Sequence, residues 1–514
     1  MRTSNSIKNS ITSLIGNIFS FIIAFIAQAV FIKVLGTEYL GLNGLFTNVL
    51  SMLSIFELGI GNAIVFNLYK PLSKNDYKKV STLMNFYKKA YRIIALLIFI
   101  FGILLLPFLN TFIKDLTIDV NIYIVYILFL MSTISSYLMA YKRSLIIADQ
   151  KNYIINIIHV IYLVIVNISQ LLIILLSKNY YLYLVMKIIC QLLENLFISI
   201  VANRKYDYLK KYATSKLDKK TENDIFNRVK ALFFHKIGSI IVSGTDNIII
   251  SYFFGIESVG LYTNYNTITN AVNTIFSQVI SSTTASVGNL LVSSDENKKY
   301  NVFKKMRFLN FWISTFTSVS LLVVIQPLIS LWIGSEYQLS IIVVCAIVFN
   351  FFQKMQRQVY STFKDSAGIW VEDRFIPLIE SFVNLLFSII FLKLFGLVGV
   401  FLGTIISGLV LWCYSYPKFV YKKLFNRSYF EYAKETIGYI LIFIFVSIIT
   451  FWLSTLYVIN NKLLLVIANI IMCCFIPNLI LFISFRKTDN FGYFKNLLKE
   501  IIMKLYTKVN KKYS

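Results

Sequence analysis

The sequence is poor in charged residues, in acidic residues and in the residues that form turns. Charged residues make up 14% of the 514, with 24 aspartates and glutamates against 50 lysines and arginines, and only six prolines and twenty glycines occur. A soluble domain carries about 25% charged residues. The chain is therefore not an ordinary soluble domain, and so little proline and glycine leaves small room for a disordered or repetitive tail.

Residues for metal binding and covalent chemistry are scarce as well. Only two histidines are present, and the five cysteines form no C-x-x-C pair. A structural zinc site needs such cysteine and histidine sets, so we expect inert buried thiols and no metal site. Neither a Gly-rich phosphate loop nor a nucleophile–base pattern is visible, which argues against ATP-driven transport and against an enzyme.

What the chain has in abundance is apolar sequence. Hydrophobic residues make up 57%, and the mean hydropathy is +0.70. A membrane-spanning helix needs about 20 apolar residues, and the runs predict an all-α membrane protein with about 14 transmembrane helices. We expect the first run to be a retained span, since it is long and lacks a cleavage site. The predicted spans are 12–33, 42–66, 91–110, 120–140, 153–176, 181–202, 231–255, 259–282, 308–331, 338–360, 376–395, 397–416, 437–457 and 462–485.

The distribution of basic residues predicts the orientation of these spans. Most lysines and arginines lie before span 1, in alternate loops and after span 14. Only Lys33, Lys114, Lys178, Lys393 and Lys462 lie in the opposite loops or at the span ends next to them. Basic loops stay in the cytoplasm, so both termini are predicted to be cytoplasmic. The net charge of +26 then reflects this bias and an attraction to anionic membrane lipids, and nucleic-acid binding is not expected.

The loops between spans suggest no soluble domain. The outer loops are short, which argues against a membrane glycosyltransferase or polymerase, since such enzymes carry a large outer loop. The longest cytoplasmic connection, 203–230, is basic and polar and is predicted to be a linker. The tail at 486–514 has apolar residues at helical spacing between lysines, which predicts a basic amphipathic helix along the cytoplasmic interface.

An internal repeat predicts how the helices are grouped. Gly36–Leu42 and Gly255–Leu261 both read G-x-E-x-x-G-L, and each links the first two spans of a six-span unit in the same orientation. We expect two six-helix lobes, 1–202 and 231–416, related by an axis along the membrane normal, with spans 13 and 14 (437–485) appended. Such a parallel repeat is typical of transporters that bind substrate between lobes and alternate access.

Several motifs resemble those of the bacterial polysaccharide transporters. These are the O-antigen and capsule repeat-unit flippases of the multidrug/oligosaccharidyl-lipid/polysaccharide exporter superfamily. The resemblance rests on Gly36–Phe46, Phe56–Ile64 and Leu68–Leu72, on Thr245–Asn247, and on the glycine-rich stretch from 396 to 404. The layout matches over nearly the whole chain, although the glycine-rich stretch is weak by itself.

The resemblance implies a substrate, a route and a location. The substrate would be an oligosaccharide on an undecaprenyl pyrophosphate carrier, moved from the inner to the outer leaflet of the bacterial cytoplasmic membrane. It also implies a V-shaped cavity lined largely by spans 1, 2, 7 and 8, with membrane lipids, a polysaccharide polymerase and glycosyltransferases as further partners. Glu57 and the pair Asp246 and Asn247 lie on matching motifs.

Cations inside the membrane are candidates for binding the pyrophosphate. Lys236 in span 7, Lys187 in span 6 and Arg357 in span 10 could each contact phosphate oxygens. Lys236 could equally reach the head groups, and Arg357 could be interfacial. Lys187 is seven residues before Glu194 on one helix face, which favours a structural ion pair over a binding site.

Carboxylates at membrane depth are candidates for ion coupling. Asp246 is the strongest, with Glu57 next, and His235 lies about three turns from Asp246 on the same face, while Asn247 follows it directly. A carboxylate in a cleft can take up and release a proton or hold Na⁺, the two coupling ions that we consider, and no other cofactor is expected. The alternative is that Asp246 holds neighbouring helices together by hydrogen bonds.

Span 8 is unusually polar. A lipid-facing helix could not carry so many unsatisfied amides and hydroxyls, so the span either lines a watery cavity that binds sugars or makes many interhelical hydrogen bonds. The amides that we predict as sugar contacts are Asn264, Asn266, Asn270, Asn273 and Gln278.

Two other transport functions stay open at this stage. A multidrug exporter of the same superfamily would share the fold and the carboxylates. Such an exporter binds cations, so buried lysines would repel its substrate. A flippase for teichoic or teichuronic precursors would share the anionic substrate. A purely structural scaffold is disfavoured by Asp246 and by the polar span 8.

Overall fold

A computed structural model describes residues 2–57, 60–113, 116–212, 217–281, 283–293, 295–369, 372–497, 499–500 and 503. All regular secondary structure in these ranges is helical, which confirms the predicted all-α class. Besides the α-helices there are three short 3₁₀ turns (Leu53–Glu57, Leu106–Phe108, Ser335–Tyr337) and one π-helix (Leu411–Leu424).

The α-helices are numbered in chain order. They are α1 (Arg2–Leu35), α2 (Thr37–Met52), α3 (Ile60–Ser73), α4 (Tyr77–Leu104), α5 (Leu109–Phe112), α6 (Ile122–Tyr137), α7 (Ala140–Ala148), α8 (Asn152–Ser177), α9 (Tyr180–Lys205), α10 (Tyr208–Lys211), α11 (Lys219–Ser281), α12 (Thr284–Ser293), α13 (Glu296–Trp332), α14 (Ile341–Ser366), α15 (Ile376–Phe395), α16 (Leu397–Val410), α17 (Tyr429–Thr455) and α18 (Lys462–Phe485).

Short polar side chains mark where many of these helices begin. Each accepts a hydrogen bond from a backbone N–H of the first turn, which would otherwise lack a partner. The capping residues are Asp76, Asn121, Asn179, Asp295, Ser428 and Asn461. The polar loops between apolar runs therefore fix the helix starts locally.

Within the described ranges, twelve helices are long and apolar enough to cross a membrane. The predicted spans 231–255 and 259–282 are counted as one, although the backbone is not helical at Gly255, where two helical segments of α11 meet at a kink. The predicted span 338–360 lies in α14, which is not among the twelve and which carries several glutamines, a lysine and an arginine at 353–358. The count of fourteen and the cytoplasmic termini stay predictions.

Large apolar side chains lie exposed along the outer helices. Leu176 on α8 is 84% exposed, Phe475 on α18 69% and Phe382 on α15 66%. Water would penalise such surfaces at about 25 cal/mol per Å², whereas lipid tails accept them. The chain is a multi-pass membrane protein.

The chain divides into two compact units by its internal contacts. Unit 1 comprises Met1–Thr267 and Trp370–Ser407, and unit 2 comprises Ile268–Ile369 and Gly408–Ser514. These units group the helices differently from the sequence repeat, since α15 and most of α16 belong to unit 1. The lobes at 1–202 and 231–416, the linker at 203–230 and the appended pair at 437–485 stay predictions.

The two G-x-E-x-x-G-L motifs share a backbone conformation within unit 1. Gly36 has φ 99° and ψ 176°, and Gly255 has φ 81° and ψ 166°. Positive φ combined with extended ψ is open essentially only to glycine. Each motif therefore breaks the helix at its first glycine, which supports the predicted duplication.

The last glycine of each motif lets the two copies approach closely. A Cβ atom at Gly41 would lie 2.1 Å from the carbonyl oxygen of Ile256, and one at Gly260 would lie 2.3 Å from that of Thr37. Thr37 and Ile256 occupy the same motif position, so the two contacts are reciprocal. Such reciprocity is expected of two duplicated elements related by a two-fold axis.

Unit 2 has a core rich in aromatic side chains. Parallel stacked pairs join α14 to α17 (Phe352 and Phe443, ring centroids 3.9 Å apart) and α13 to α17 (Phe311 and Tyr439, 4.1 Å). The described start of the tail, residues 489–497, is helical. Its Phe494 stacks on Phe308 of α13, so this part of the tail packs against the unit.

Candidate transport site

A carboxylate lies among hydroxyl and amide groups in unit 1. Thr245 donates to Oδ1 of Asn384 on α15 (3.3 Å), whose Nδ2 donates to Oγ1 of Thr404 on α16 (3.1 Å). Thr404 and Tyr262 both interact with the carboxyl group of Asp246. We refer to Thr245, Asp246, Asn384 and Thr404 as the carboxylate cluster.

The glycine-rich stretch positions α16 for these contacts. A Cβ atom at Gly399 would lie 2.1 Å from the carbonyl of Phe391, and one at Gly403 would lie 2.3 Å from the backbone nitrogen of Ser388. Small residues at such spacing let helices pack closely in membranes. Thr404 consequently lies within hydrogen-bond distance of Asn384.

Asp246 has fewer partners than a buried carboxylate needs. Its Oδ1 is buried and accepts no hydrogen bond from the described part of the chain. The surrounding oxygen atoms come from neutral hydroxyl and amide groups, which suit a proton or a hard cation such as Na⁺. No group of three or more His, Cys, Asp or Glu side chains suited to a metal ion occurs among the residues described.

A second polar group joins α1 to α11 within unit 1. Gln28 donates through Nε2 to Oδ1 of Asn264 (2.7 Å), and Thr267 donates to Oε1 of Gln28 (3.1 Å). Asn264 is completely buried, and its Nδ2 finds no acceptor in the described ranges. We refer to Gln28, Asn264 and Thr267 as the amide bridge.

Asn247 lies next to a close approach of α2 and α11. It is 2% exposed, and its Oδ1 is buried without a donor in the described structure. A Cβ atom at Gly44 would lie 2.6 Å from Oγ1 of Thr263 and 3.4 Å from Nδ2 of Asn247. The absence of a side chain at Gly44 thus brings the α2 backbone against the polar face of α11.

Glu57 belongs to a separate group of side chains. It ends the 3₁₀ turn after α2 and accepts a hydrogen bond from the hydroxyl of Tyr91 on α4 (3.3 Å). Tyr137 on α6 interacts with it electrostatically. These tyrosines hold Glu57 against the helices that follow it.

The predicted ion pair between Lys187 and Glu194 is wrong. Glu194 binds Arg143 (2.9 Å) and His159 (3.0 Å), which come from the neighbouring helices α7 and α8. Lys187 lies instead over the ring of Phe129 on α6, 5.4 Å from its centroid. A spacing of seven residues does place Lys187 and Glu194 on one face of a helix. Glu194 nevertheless pairs with Arg143 and His159 of the neighbouring helices.

The other predicted binding and coupling residues lie in one unit or the other, or are not among the residues that the structure describes. Asn273 of unit 2 accepts from Nε2 of Gln358 (3.2 Å), so this amide joins α11 to α14. Asn270 is exposed, Asn266 and Gln278 are partly buried with further partners, and Arg357 is partly buried on α14. The side chains of His235 and Lys236 lie outside the described residues. The role of each in binding stays a prediction.

Gln28 was not among the predicted site residues, although the sequence shows it as a polar residue inside an apolar run. Its side chain is an amide, and an unsatisfied amide is costly in hydrocarbon. Asn384 was not among the predicted site residues, and Thr404 entered only as the last residue of the glycine-rich stretch. Their link to Asp246 depends on tertiary packing of three distant helices.

Solved structures of similar fold are transporters and flippases. The lipid II flippase MurJ in an inward closed conformation matches with a TM-score of 0.64 and 16% identity over 93% of this chain and 99% of its own. An inward-facing MATE family multidrug resistance transporter of the MOP superfamily matches with 0.59 and 14%, over 76% and 91%. The Vibrio cholerae MATE transporter VcmN matches with 0.57 and 12%, over 83% and 99%.

These likenesses show the fold, which this chain shares with transporters and flippases. The comparison with curated proteins gives no match. A family model described as polysaccharide biosynthesis protein matches residues 6–285. This range is more than half of the chain and holds Gln28, Asp246 and Asn264. The chain therefore belongs to the polysaccharide biosynthesis protein family and has the fold of the MOP superfamily.

Proposed function

We propose that the protein is a flippase in the bacterial cytoplasmic membrane. It moves an oligosaccharide carried on undecaprenyl pyrophosphate from the inner to the outer leaflet. The amide bridge carries this proposal, because it places buried, incompletely satisfied amides within the region that matches the polysaccharide biosynthesis family. Membrane lipids, a polymerase and glycosyltransferases are proposed as partners.

The amide groups fit a sugar better than an apolar cation. Asn264 offers a free N–H through Nδ2, and Asn247 offers a free carbonyl through Oδ1, in the part of the chain described. Sugar hydroxyls donate and accept hydrogen bonds, so they need both kinds of partner. Lys187, Lys236 and Arg357 are the proposed cations for the pyrophosphate.

The carboxylate cluster is the proposed coupling site. An uncompensated carboxylate is costly at membrane depth, so Asp246 gains from a proton or a Na⁺ ion, and Thr404 and Asn384 supply further oxygens. Binding and release of that ion would favour different conformations of α11, α15 and α16. Glu57 and His235 are secondary candidates for the same role.

Reconstituted vesicles test the proposal. The purified protein is placed in vesicles with a lipid-linked oligosaccharide on one leaflet, and its exposure to an impermeant glycosidase on the other is followed. We expect transfer above empty vesicles, reduced at least tenfold by Asp246→Asn. The matched control is Asp295→Asn, because Asp295 caps α13 at an exposed position and asparagine caps equally well.

Other outcomes would point elsewhere. Transfer retained in Asp246→Asn would make Asp246 structural. No transfer with several glycolipids, under either a proton or a sodium gradient, would favour the multidrug exporter, whose fold this chain shares. Transfer of a teichoic-type precursor alone would change the substrate and keep the flippase.

A further inference from the structure

The chain between α4 and α6 is tied to three other helices of unit 1. We refer to its described residues 109–113 and 116–121 as the outer strap, since the pattern of basic residues predicts this connection on the outer side of the membrane. Along the strap, Phe112 is bonded to α11, Thr117 to α2 and Asn121 to α9. Joining α4 to α6 requires none of these three attachments.

The attachment to α2 uses both carboxylate oxygens of Glu38. Its Oε2 accepts a hydrogen bond from the backbone N–H of Thr117 (2.9 Å), and its Oε1 accepts one from the Thr117 hydroxyl. Hydrogen bonds to an ionised group are stronger than those between neutral groups. Glu38 lies in the first turn of α2, where the helix dipole alone would favour a carboxylate. The dipole does not require the two bonds to Thr117, which hold the strap.

The attachment to α11 is buried. Ser251 is fully buried, and its hydroxyl donates to the backbone carbonyl of Phe112 (2.6 Å). Phe112 ends α5, so this carbonyl has no acceptor role within its own helix. At the far end of the strap, the backbone N–H of Asn121 donates to the hydroxyl of Tyr181 (2.7 Å). Movement of the strap would therefore free the side chain of Ser251.

The two copies of the repeat differ in what their glutamates contact. Glu38 of the first copy bonds the strap, whereas Glu257 of the second copy is exposed. The reciprocal approaches at Gly41 and Gly260 bring the two copies together at the same end of α2 and α11. The strap thus bonds to both helices of this contact, and only the first copy supplies a carboxylate for it.

We propose that the outer strap is a latch that holds α2 and α11 together on the predicted outer side, with Glu38 as its release point. The inference rests on the proposed function, because alternating access requires the two copies to separate on that side before the sugar leaves. Thr117 and Asn121 are exposed, so water can replace their hydrogen bonds at a small net cost. The latch therefore stabilises the closed outer side and still opens during transport.

Thiol labelling measures the latch without any transport. The reporter is Ser251→Cys in the full-length protein in detergent, after serine has replaced the exposed cysteines Cys345, Cys413 and Cys474. Adding Glu38→Ala should speed labelling by a polar maleimide about tenfold, the factor expected for loss of a hydrogen bond to a charged group. Glu257→Ala is the matched control, since it makes the same change in the second copy, and it should leave the rate unchanged.

A double-variant cycle tests whether Glu38 acts through Thr117. Thr117→Val removes the hydroxyl donor and keeps the backbone N–H, so labelling should accelerate less than in Glu38→Ala. Because both substitutions act on the same bonds, the double variant should label no faster than Glu38→Ala alone. Additive accelerations would mean that Glu38 acts through other contacts, which would overturn its role as the release point.

A reversible cross-link then tests the latch in the vesicle assay. With Glu38→Cys and Thr117→Cys in the same background, a reducible bifunctional thiol reagent should stop transfer, and a reductant should restore it. Continued transfer by the cross-linked protein would overturn the proposal, as would equal labelling of the reporter with and without Glu38→Ala. The expected labelling without transfer by any variant would support the latch and overturn the proposed flippase, so the two failures are distinguishable.

Discussion

The two units each bury an ionisable side chain within long apolar helices, and they treat it differently. Arg307 in unit 2 has a carboxylate, a threonine and four tyrosine rings within reach. Among the described residues, Asp246 in unit 1 interacts with the neutral hydroxyl groups of Thr404 and Tyr262. A charge with a fixed counter-ion is part of the framework. A buried charge without a fixed counter-ion is stabilised when a mobile ion or a proton binds to it.

Removing the counter-ion of Arg307 should give the largest loss of stability. Glu435→Gln leaves a buried guanidinium uncompensated, and breaking such a pair typically costs about 3 kcal/mol or more. Thermal unfolding in micelles would show a clearly lower melting temperature than the wild type. Glu296→Gln, an exposed carboxylate in the first turn of α13, should change little.

A double substitution tests whether the lost stability comes from the unpaired charge of Arg307. Arg307→Met combined with Glu435→Leu removes both charges and should recover most of the lost stability. If the double variant is as unstable as Glu435→Gln, packing of the aromatic rings and not the ion pair holds these helices.

The reciprocal glycines of the repeat should give the next largest effect. Gly41→Ala and Gly260→Ala each place a methyl group within 2.3 Å of a backbone carbonyl, and overpacking of this kind costs about 1–3 kcal/mol. Because the contacts are reciprocal, the two losses should be similar. Gly438→Ala on α17 is the control, since nothing lies within 4 Å of its added methyl.

Unequal losses would argue against the duplicated geometry. A stable Gly41→Ala variant beside an unstable Gly260→Ala variant would mean that only one of the two contacts exists. Melting temperatures of the three variants in one detergent are sufficient to decide.

The carboxylate cluster should respond weakly to loss of one hydroxyl. Thr404→Val leaves Nδ2 of Asn384 without its acceptor, which costs about 1 kcal/mol, whereas Thr404→Ser should be close to the wild type. Transfer in the vesicle assay should fall in the valine variant and persist in the serine variant. Equal transfer in both would remove Thr404 from the coupling site.

The sequence predicts features that depend on one helix and misses those that depend on several. Asp246 and Asn264 stand out because a polar residue in an apolar run is costly wherever the run packs. The partner of Glu194 was wrongly assigned, because helical spacing gives neighbours along α9 only, while Arg143 and His159 approach from other helices. The contacts of Arg307 were missed for the same reason, since they come from three other segments, α14, the π-helix and α17.

The smallest stability effect is expected where the functional effect is largest. Asp246→Asn removes a charge that has no cationic partner among the described residues and keeps an amide able to bond Thr404. Burial of an unpaired carboxylate is unfavourable, so the melting temperature should stay the same or rise slightly while transfer is lost. A fall comparable to that of Glu435→Gln would mean that Asp246 is a paired structural charge. The contrast between the two units would then disappear, because both charges would hold helices together.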